Sequence, residues 1–294
     1  MLSNQIAISN IKMKTYQQFW QSLTPLYDAG EAQAIVRTVL DVEYGMTLTD
    51  IICGKVNELS SDEERNLEEI ITRLQNGEPV QYVLGEADFA GRTFHVEPGV
   101  LIPRPETAEL CQWIEEEVSS LEADERKQIL DICTGSGCIA ITLGLNIPNS
   151  EVTGWDISED ALRIAQGNME MLKAGNVRIE YQDALALPKA AEAADLIVSN
   201  PPYICEKEKA DMEKNVLEHE PSIALFVPDE DPLKFYRAIA EYASSALKPE
   251  GALYFEINPI YEKETREMLE ELGFKDIETK EDAFGKKRMM KAKK

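Results

Sequence analysis

A chain of 294 residues with 54 acidic against 30 basic side chains carries a formal charge of −24, a field that repels phosphate backbones and argues against a protein that coats nucleic acid. Its 44% apolar and 29% charged residues are those of a globular protein large enough for one big core or two, and no uninterrupted apolar run approaches a membrane span. The five scattered cysteines read as free thiols in a reducing compartment, and the two distant histidines have no cysteine pair at ligand spacing, so no metal is expected.

Residues 1–14 show neither the basic start and apolar stretch of a secretory signal nor a small-residue cleavage site, so a frayed extension on a cytoplasmic protein is expected. Residues 14–77 read as a small all-helical unit. Ser61-Asp62-Glu63-Glu64 has capping-box spacing, and Leu67, Ile70, Ile71 and Leu74 follow at i, i+3, i+4 and i+7. Asn76-Gly77 supplies a stop. Asp28-Ala29-Gly30-Glu31 offers a second box ahead of Ala32, Ile35, Val36, Val39 and Leu40. Phe19, Trp20 and Leu23 mark an earlier helix, and Leu48, Ile51 and Ile52 a short one. No chemistry is visible in this unit; its stripes form a core.

Composition changes at Glu78-Pro79. Residues 79–96 lead into a hairpin turning at Ala90-Gly91, after which Pro98 to Thr107 runs extended into a helix with Pro105 near its first turn. That helix carries Leu110, Trp113, Ile114 and Val118 on one face. A doubly wound α/β pattern begins at Gln128. Strands are expected over 129–132, 152–155, 177–181, 194–199 and 252–257, with a closing pair over 274–278 and 287–291. This makes a mostly parallel, seven-stranded Rossmann-like sheet.

The chemistry gathers where these strands end. Cys133-Thr134-Gly135-Ser136-Gly137 turns from the first strand into a helix, and the acid Asp156 ends the second strand about 20 residues later, a nucleoside-binding arrangement. Gly135 and Gly137 let the backbone approach a ligand, and Asp156 can accept both ribose hydroxyls. The full G-x-G-x-x-G is missing, so a pyrophosphate has no cradle, while Asp183 after the third strand suits the exocyclic amine of an adenine. Ser199-Asn200-Pro201-Pro202-Tyr203 ends the fourth strand in a stiff turn with free carbonyls. An asparagine amide and a flat ring there suit a planar group bearing an NH2. Together these features favour S-adenosylmethionine over a dinucleotide.

Nearly end to end, the chain resembles the release-factor glutamine N5-methyltransferases (the HemK/PrmC family). The resemblance rests on Gly77-Glu78-Pro79-Val80-Gln81-Tyr82-Val83-Leu84-Gly85, on Phe89…Gly91…Phe94-His95-Val96, and on Val100-Leu101-Ile102-Pro103-Arg104-Pro105-Glu106-Thr107. It continues through Asp131 to Gly137, Ser199 to Ile204 and Glu220-Pro221…Ala224-Leu225. The string from Ile102 to Thr107 is specific to this family, whereas Asn-Pro-Pro-Tyr is shared with enzymes that methylate the adenine amine. The resemblance implies a helical substrate-recognition domain over 1–77, a hairpin linker over 78–103 and a class I methyltransferase domain over 104–294. It implies that S-adenosylmethionine lies over Cys133, Thr134, Gly135, Ser136 and Gly137, with Asp156 on the ribose, Asp183 and Ala184 bordering the adenine, and Asn200 between cofactor and substrate. Asn200, Pro201, Pro202 and Tyr203 would hold the glutamine of a class I peptide chain release factor, with S-adenosylhomocysteine as the other product. Two departures stand out: Cys133 replaces a usual glycine, and Ala184 replaces a tryptophan found in some members. The alternatives are an adenine-N6 methyltransferase acting on nucleic acid, disfavoured by the acidic charge and the lack of a basic recognition domain, and a catalytically silent cofactor-binding protein.

Overall fold

The computed structural model describes residues 15–119 and 126–294; the expectation for residues 1–14 lies outside them. The chain divides into two compact units, Met1–Leu84 and Gly85–Lys294.

The first unit is helical: α1 (Tyr16–Leu23), α2 (Ala29–Tyr44), α3 (Leu48–Ile52), α4 (Ser61–Gln75) and α5 (Val80–Leu84). Thr15, Asp28, Thr47 and Ser60 cap the first four with side-chain oxygens, satisfying amides that a helix start leaves open. The box on α4 is closed by Ser60 and Glu63, one residue ahead of the expected Ser61 and Glu64. Both pairs have the required spacing, but Ser60 keeps the extended backbone of a cap (φ −68°, ψ 161°) while Ser61 has already entered the helix. The stripes read from the sequence do form a core: Leu67, Ile70, Ile71 and Leu74 of α4 pack with Val36, Val39 and Leu40 of α2 and with Phe19 and Leu23 of α1.

In the second unit, β1 (Glu86–Phe89) and β2 (Arg92–His95) pair antiparallel about Ala90-Gly91, and α6 (Pro105–Ser119) follows. The alternating part comprises β3 (Lys127–Ile132), α7 (Cys138–Asn146), β4 (Ser150–Asp156), α8 (Glu159–Met171), β5 (Val177–Tyr181) and β6 (Ala194–Ser199). Next come the short elements β7 (Ile204–Cys205), α9 (Lys214–His219), α10 (Ser222–Leu225) and β8 (Phe226–Val227), none legible in the sequence. The unit closes with α11 (Lys234–Ala246), β9 (Leu247–Glu256), α12 (Glu262–Glu271), β10 (Lys275–Glu281) and β11 (Lys287–Lys293). The large sheet has seven strands in the order β10-β11-β9-β6-β3-β4-β5, and β11 alone runs antiparallel to the other six among the described residues.

Alternate residues of each central strand bury into opposite layers. Ile129, Val198 and Tyr254 face a core shared with Trp113 and Ile114 of α6 and Ile139 of α7. Leu130, Ile197 and Phe255 face one shared with Tyr236 and Ile239 of α11 and Leu269 of α12. Phe89 and Phe94 of the hairpin belong to the first of these cores, so the hairpin is packed within the larger unit. Asn168 of α8 stitches it there: its Oδ1 accepts the His95 amide at 2.7 Å, and its Nδ2 donates to the carbonyls of His95 at 3.0 Å and Ser136 at 2.9 Å. The strand order reverses between β3 and β6, which pair in parallel with Ile132 beside Ser199. Ligands of open α/β sheets bind beyond the carboxyl ends of strands at such a switch point. Among the described residues, no helix is long and apolar enough to cross a membrane.

Candidate active site

The candidate residues all follow strand ends at one edge of the sheet. Turn 133–137 follows β3, Asp156 ends β4, Asp183 follows β5, loop 200–203 follows β6 and Glu256 ends β9. In the first of these, Cys133, Gly135 and Gly137 have φ of +65°, +56° and +80°. A Cβ on Gly135 would meet nothing within 4 Å, so the turn presents bare backbone there. Gly137 caps α7, where a Cβ would come within 3.0 Å of Ile141 and 3.1 Å of Ala165. Cys133 holds a left-handed conformation that costs an L-residue about 1–2 kcal/mol, a cost that the glycine expected from the family resemblance would avoid.

Beneath the turn, Asp131 is fully buried. Its Oδ2 accepts the Thr134 hydroxyl at 2.6 Å and the Ala140 amide at 3.1 Å, while Oδ1 has no hydrogen-bond partner. Burial pushes its carboxyl up to about 7 despite those two bonds. The Thr134 hydroxyl is thus turned inward, and the turn leaves open space over its backbone at Gly135. Asp156 accepts the Gly135 amide on Oδ2 and the Ser158 amide on Oδ1, each at 2.9 Å. Burial raises its carboxyl, and the amides of Ser158 and Gly135 oppose the shift. A carboxylate has about four acceptor positions, so both oxygens retain capacity for further donors. Asp183 Oδ1 accepts the Leu185 amide at 2.8 Å.

These segments line a cavity of about 330 Å3. Cys133, Thr134, Gly135, Ser136, Asp156, Asp183, Ala184, Asn200 and Pro202 reach it; Gly137 and the buried Pro201 do not. Phe235 of α11 is the one aromatic side chain among its described lining residues. A smaller cavity of about 180 Å3 is lined by Tyr203, Met212, Val216, Leu225 and Glu256 among others. Leu101, Arg104, Asn200 and Ala224 line both, so Asn200 stands at the junction.

A hydrogen-bonded chain runs back from that junction. Asn200 Nδ2 donates to Thr107 Oγ1 at 3.1 Å, Thr107 Oγ1 donates to Glu256 Oε2 at 2.5 Å, and Tyr203 Oη donates to Glu256 Oε1 at 2.9 Å. Glu256 is buried; that raises its carboxyl, while Thr107, Tyr203 and Arg288 pull it down. Burial likewise pushes the Tyr203 phenol well up, which keeps it a neutral donor. The buried Glu220 accepts the Ile102 amide at 3.2 Å and pairs with Arg104 at 2.5 Å, joining two strings that stand far apart in the chain.

Sequence reasoning missed three of these side chains. Thr107 was visible only as the last letter of a family string. Glu256 had a signal, a lone acid in the apolar strand Leu253-Tyr254-Phe255-Glu256-Ile257, since a buried charge requires partners. Phe235 had none, because only tertiary packing brings α11 to the strand ends.

Glycine turn, strand-end acid and switch point form a nucleoside-binding site, and the family match makes it a methyltransferase's: residues 123–289 match the methyltransferase domain family, and residues 22–85 match the PrmC N-terminal domain. The release factor glutamine methyltransferase of Bacteroides thetaiotaomicron is 48% identical over 273 residues, covering 92% of this chain and 96% of its own length. That of Flavobacterium psychrophilum is 41% identical over 280 residues, covering 95% and 98%. That of Streptococcus pneumoniae is 38% identical over 280 residues, with the same coverage. The chain belongs to the release factor glutamine methyltransferase family. Among the described residues, no group of three or more His, Cys, Asp or Glu is placed to hold a metal ion.

Proposed function

We propose that this protein transfers a methyl group from S-adenosylmethionine to the side-chain amide nitrogen of the glutamine in the Gly-Gly-Gln motif of class I release factors, leaving S-adenosylhomocysteine and N5-methylglutamine. The observation that carries this reading is the place of Asn200, where a large cavity suited to a nucleoside meets a small one suited to a single side chain. The residues present fit the cofactor: bare backbone at Gly135, unused acceptor capacity on Asp156, and the apolar side chains of Ala184, Leu185 and Phe235 lining the same cavity. When bound, it supplies an electrophilic methyl on a sulfonium centre.

What remains falls to the chain. A carboxamide nitrogen is a poor nucleophile because its lone pair is delocalised into the carbonyl. Asn200 Oδ1 accepts one of its N–H groups and aims the nitrogen toward the larger cavity; Pro201, which lines neither cavity, stiffens the turn that holds Asn200. The Tyr203 ring packs against the amide plane, its hydroxyl tethered to Glu256. The Glu256 carboxylate is already engaged by two hydroxyls, so the side chains act by orienting the amide and excluding water, with proton loss late. The helical unit would recognise the body of the protein substrate, because one side chain offers too little surface for selectivity and stable interfaces bury about 1,200–2,000 Å2. The reaction would take place in the cytoplasm, where release factors act.

The test is mass spectrometry of a class I release factor incubated with the protein and S-adenosylmethionine. One added methyl on the Gly-Gly-Gln glutamine is expected. An unmodified glutamine, with methyl transfer to adenine in a nucleic acid instead, would overturn the reading.

A further inference from the structure

We infer that Thr107 and Glu256 are positioning residues: together they set which end of the Asn200 amide faces the substrate. The inference rests on the reading of Asn200 as the acceptor for the substrate amide, and its argument is one of proton counting. A threonine hydroxyl has one proton and two acceptor positions, whereas a carboxylate only accepts. At 2.5 Å from Glu256 Oε2, Thr107 spends its proton on the carboxylate. Toward Asn200 it can then only accept, and it does so from Nδ2 at 3.1 Å. The NH2 end is thereby held on α6 and Oδ1 is left as the free end of the side chain.

Reversing the amide would set Asn200 Oδ1 against the Thr107 oxygen, acceptor against acceptor, in a partly buried site where an unpaired polar group is costly. A donor-out Asn200 would in turn oppose the N–H groups of a glutamine amide. Glu256 thus controls the polarity of the Asn200 amide through two hydrogen bonds in series. It is held to that task by the Tyr203 hydroxyl on Oε1 at 2.9 Å and by the nearby Arg288, itself paired with Asp282 at 3.4 Å. Glu106 and Tyr236 also face Glu256 electrostatically, and neither replaces Thr107 as its link to Asn200. The Thr107 side chain comes from the Ile102-to-Thr107 string and Asn200 from Asn-Pro-Pro-Tyr, so the bond between them ties one motif to the other.

The experiment uses the full-length chain and measures steady-state methylation of an intact release factor, with S-adenosylhomocysteine binding and melting temperature recorded for each variant. Thr107→Val keeps the shape but removes the hydroxyl; kcat should fall about 10²-fold, as for a lost positioning contact, with KM and S-adenosylhomocysteine affinity within about threefold. Thr107→Ser restores the hydroxyl and should return kcat to within about threefold of the original, a rescue that a packing role for the missing methyl would not give. In Glu256→Gln the carboxamide can donate to Thr107, which then turns its proton toward Asn200; kcat should again fall about 10²-fold. Because the two residues act through one bond, the double variant Thr107→Val with Glu256→Gln should be no worse than the poorer single. Independent, multiplying losses would overturn the inference, as would Thr107→Ser as impaired as Thr107→Val, or a Thr107→Val enzyme with normal kcat. If Thr107→Val does not fold, Thr107→Ser and Glu256→Gln decide the matter by the same criteria. An original enzyme that leaves the glutamine unmodified would instead overturn the functional reading itself.

Discussion

Asp156 and Phe235 both line the larger cavity, one with a carboxylate and one with a ring, and they predict different losses. Asp156→Ala removes the carboxylate on which the ribose hydroxyls are expected to converge, a loss of roughly 1.5–3 kcal/mol per charged hydrogen bond. Calorimetry with S-adenosylhomocysteine checks it, and an unchanged affinity would place the ribose elsewhere. Phe235→Leu keeps an apolar side chain on α11 but removes the ring, and affinity should fall by about 0.5–1.5 kcal/mol if the ring stacks on the base. Such a loss would make Phe235 the aromatic wall that Ala184 cannot supply; no loss would leave the adenine bounded by aliphatic groups alone. Asn200→Ala should behave unlike either, cutting turnover by about 10² or more while cofactor affinity falls much less. Binding abolished outright would make Asn200 a cofactor ligand first.

The turn between β3 and α7 sets its own prediction through the acid beneath it. Folded Asp131 keeps its proton to about pH 7, whereas its ordinary value is 3.8. Between those values the folded state binds more protons than the unfolded one, so this group's contribution to stability falls as the pH rises through that window. Asp131→Asn can still accept from Thr134 and Ala140 on its oxygen but no longer titrates. Denaturant unfolding at pH 5 and at pH 8 should show a smaller drop between the two for the variant than for the original protein. Equal drops in both would mean that Asp131 is ionised throughout.

The two units carry separate cores, the first built from α1, α2 and α4 and the second around the seven-stranded sheet. A shortened chain beginning at Gly85 should therefore stay folded and bind S-adenosylmethionine, which circular dichroism and calorimetry check. It should lose far more activity on an intact release factor than on a short Gly-Gly-Gln peptide. Equal losses on both, or none on either, would sink the recognition role of the helical unit. The acidic charge of the chain would add salt dependence to any encounter with a basic partner surface.

Patterns local in the chain were legible without coordinates. Helical spacing at Leu67, Ile70, Ile71 and Leu74, the apolar run from Ala194 to Val198, and the alternation of strands with helices rest on periods of 3.6 and 2 that the residues display directly. The Asn-Pro-Pro-Tyr turn and Asp156 were legible for the same reason, since their spacing from strand ends is a property of sequence. The sequence leaves the capping box on α4 ambiguous by one residue because two Ser-x-x-Glu pairs overlap, and only the backbone angles of Ser60 choose between them. Elements of two to six residues between Ile204 and Val227 are too short to show a period. What the tertiary structure alone decided is which distant groups meet. The protonic order Glu256, Thr107, Asn200 spans contacts of 149 and 93 residues along the chain, and its direction follows from donors and acceptors brought within hydrogen-bond reach only when β9, α6 and the loop after β6 converge.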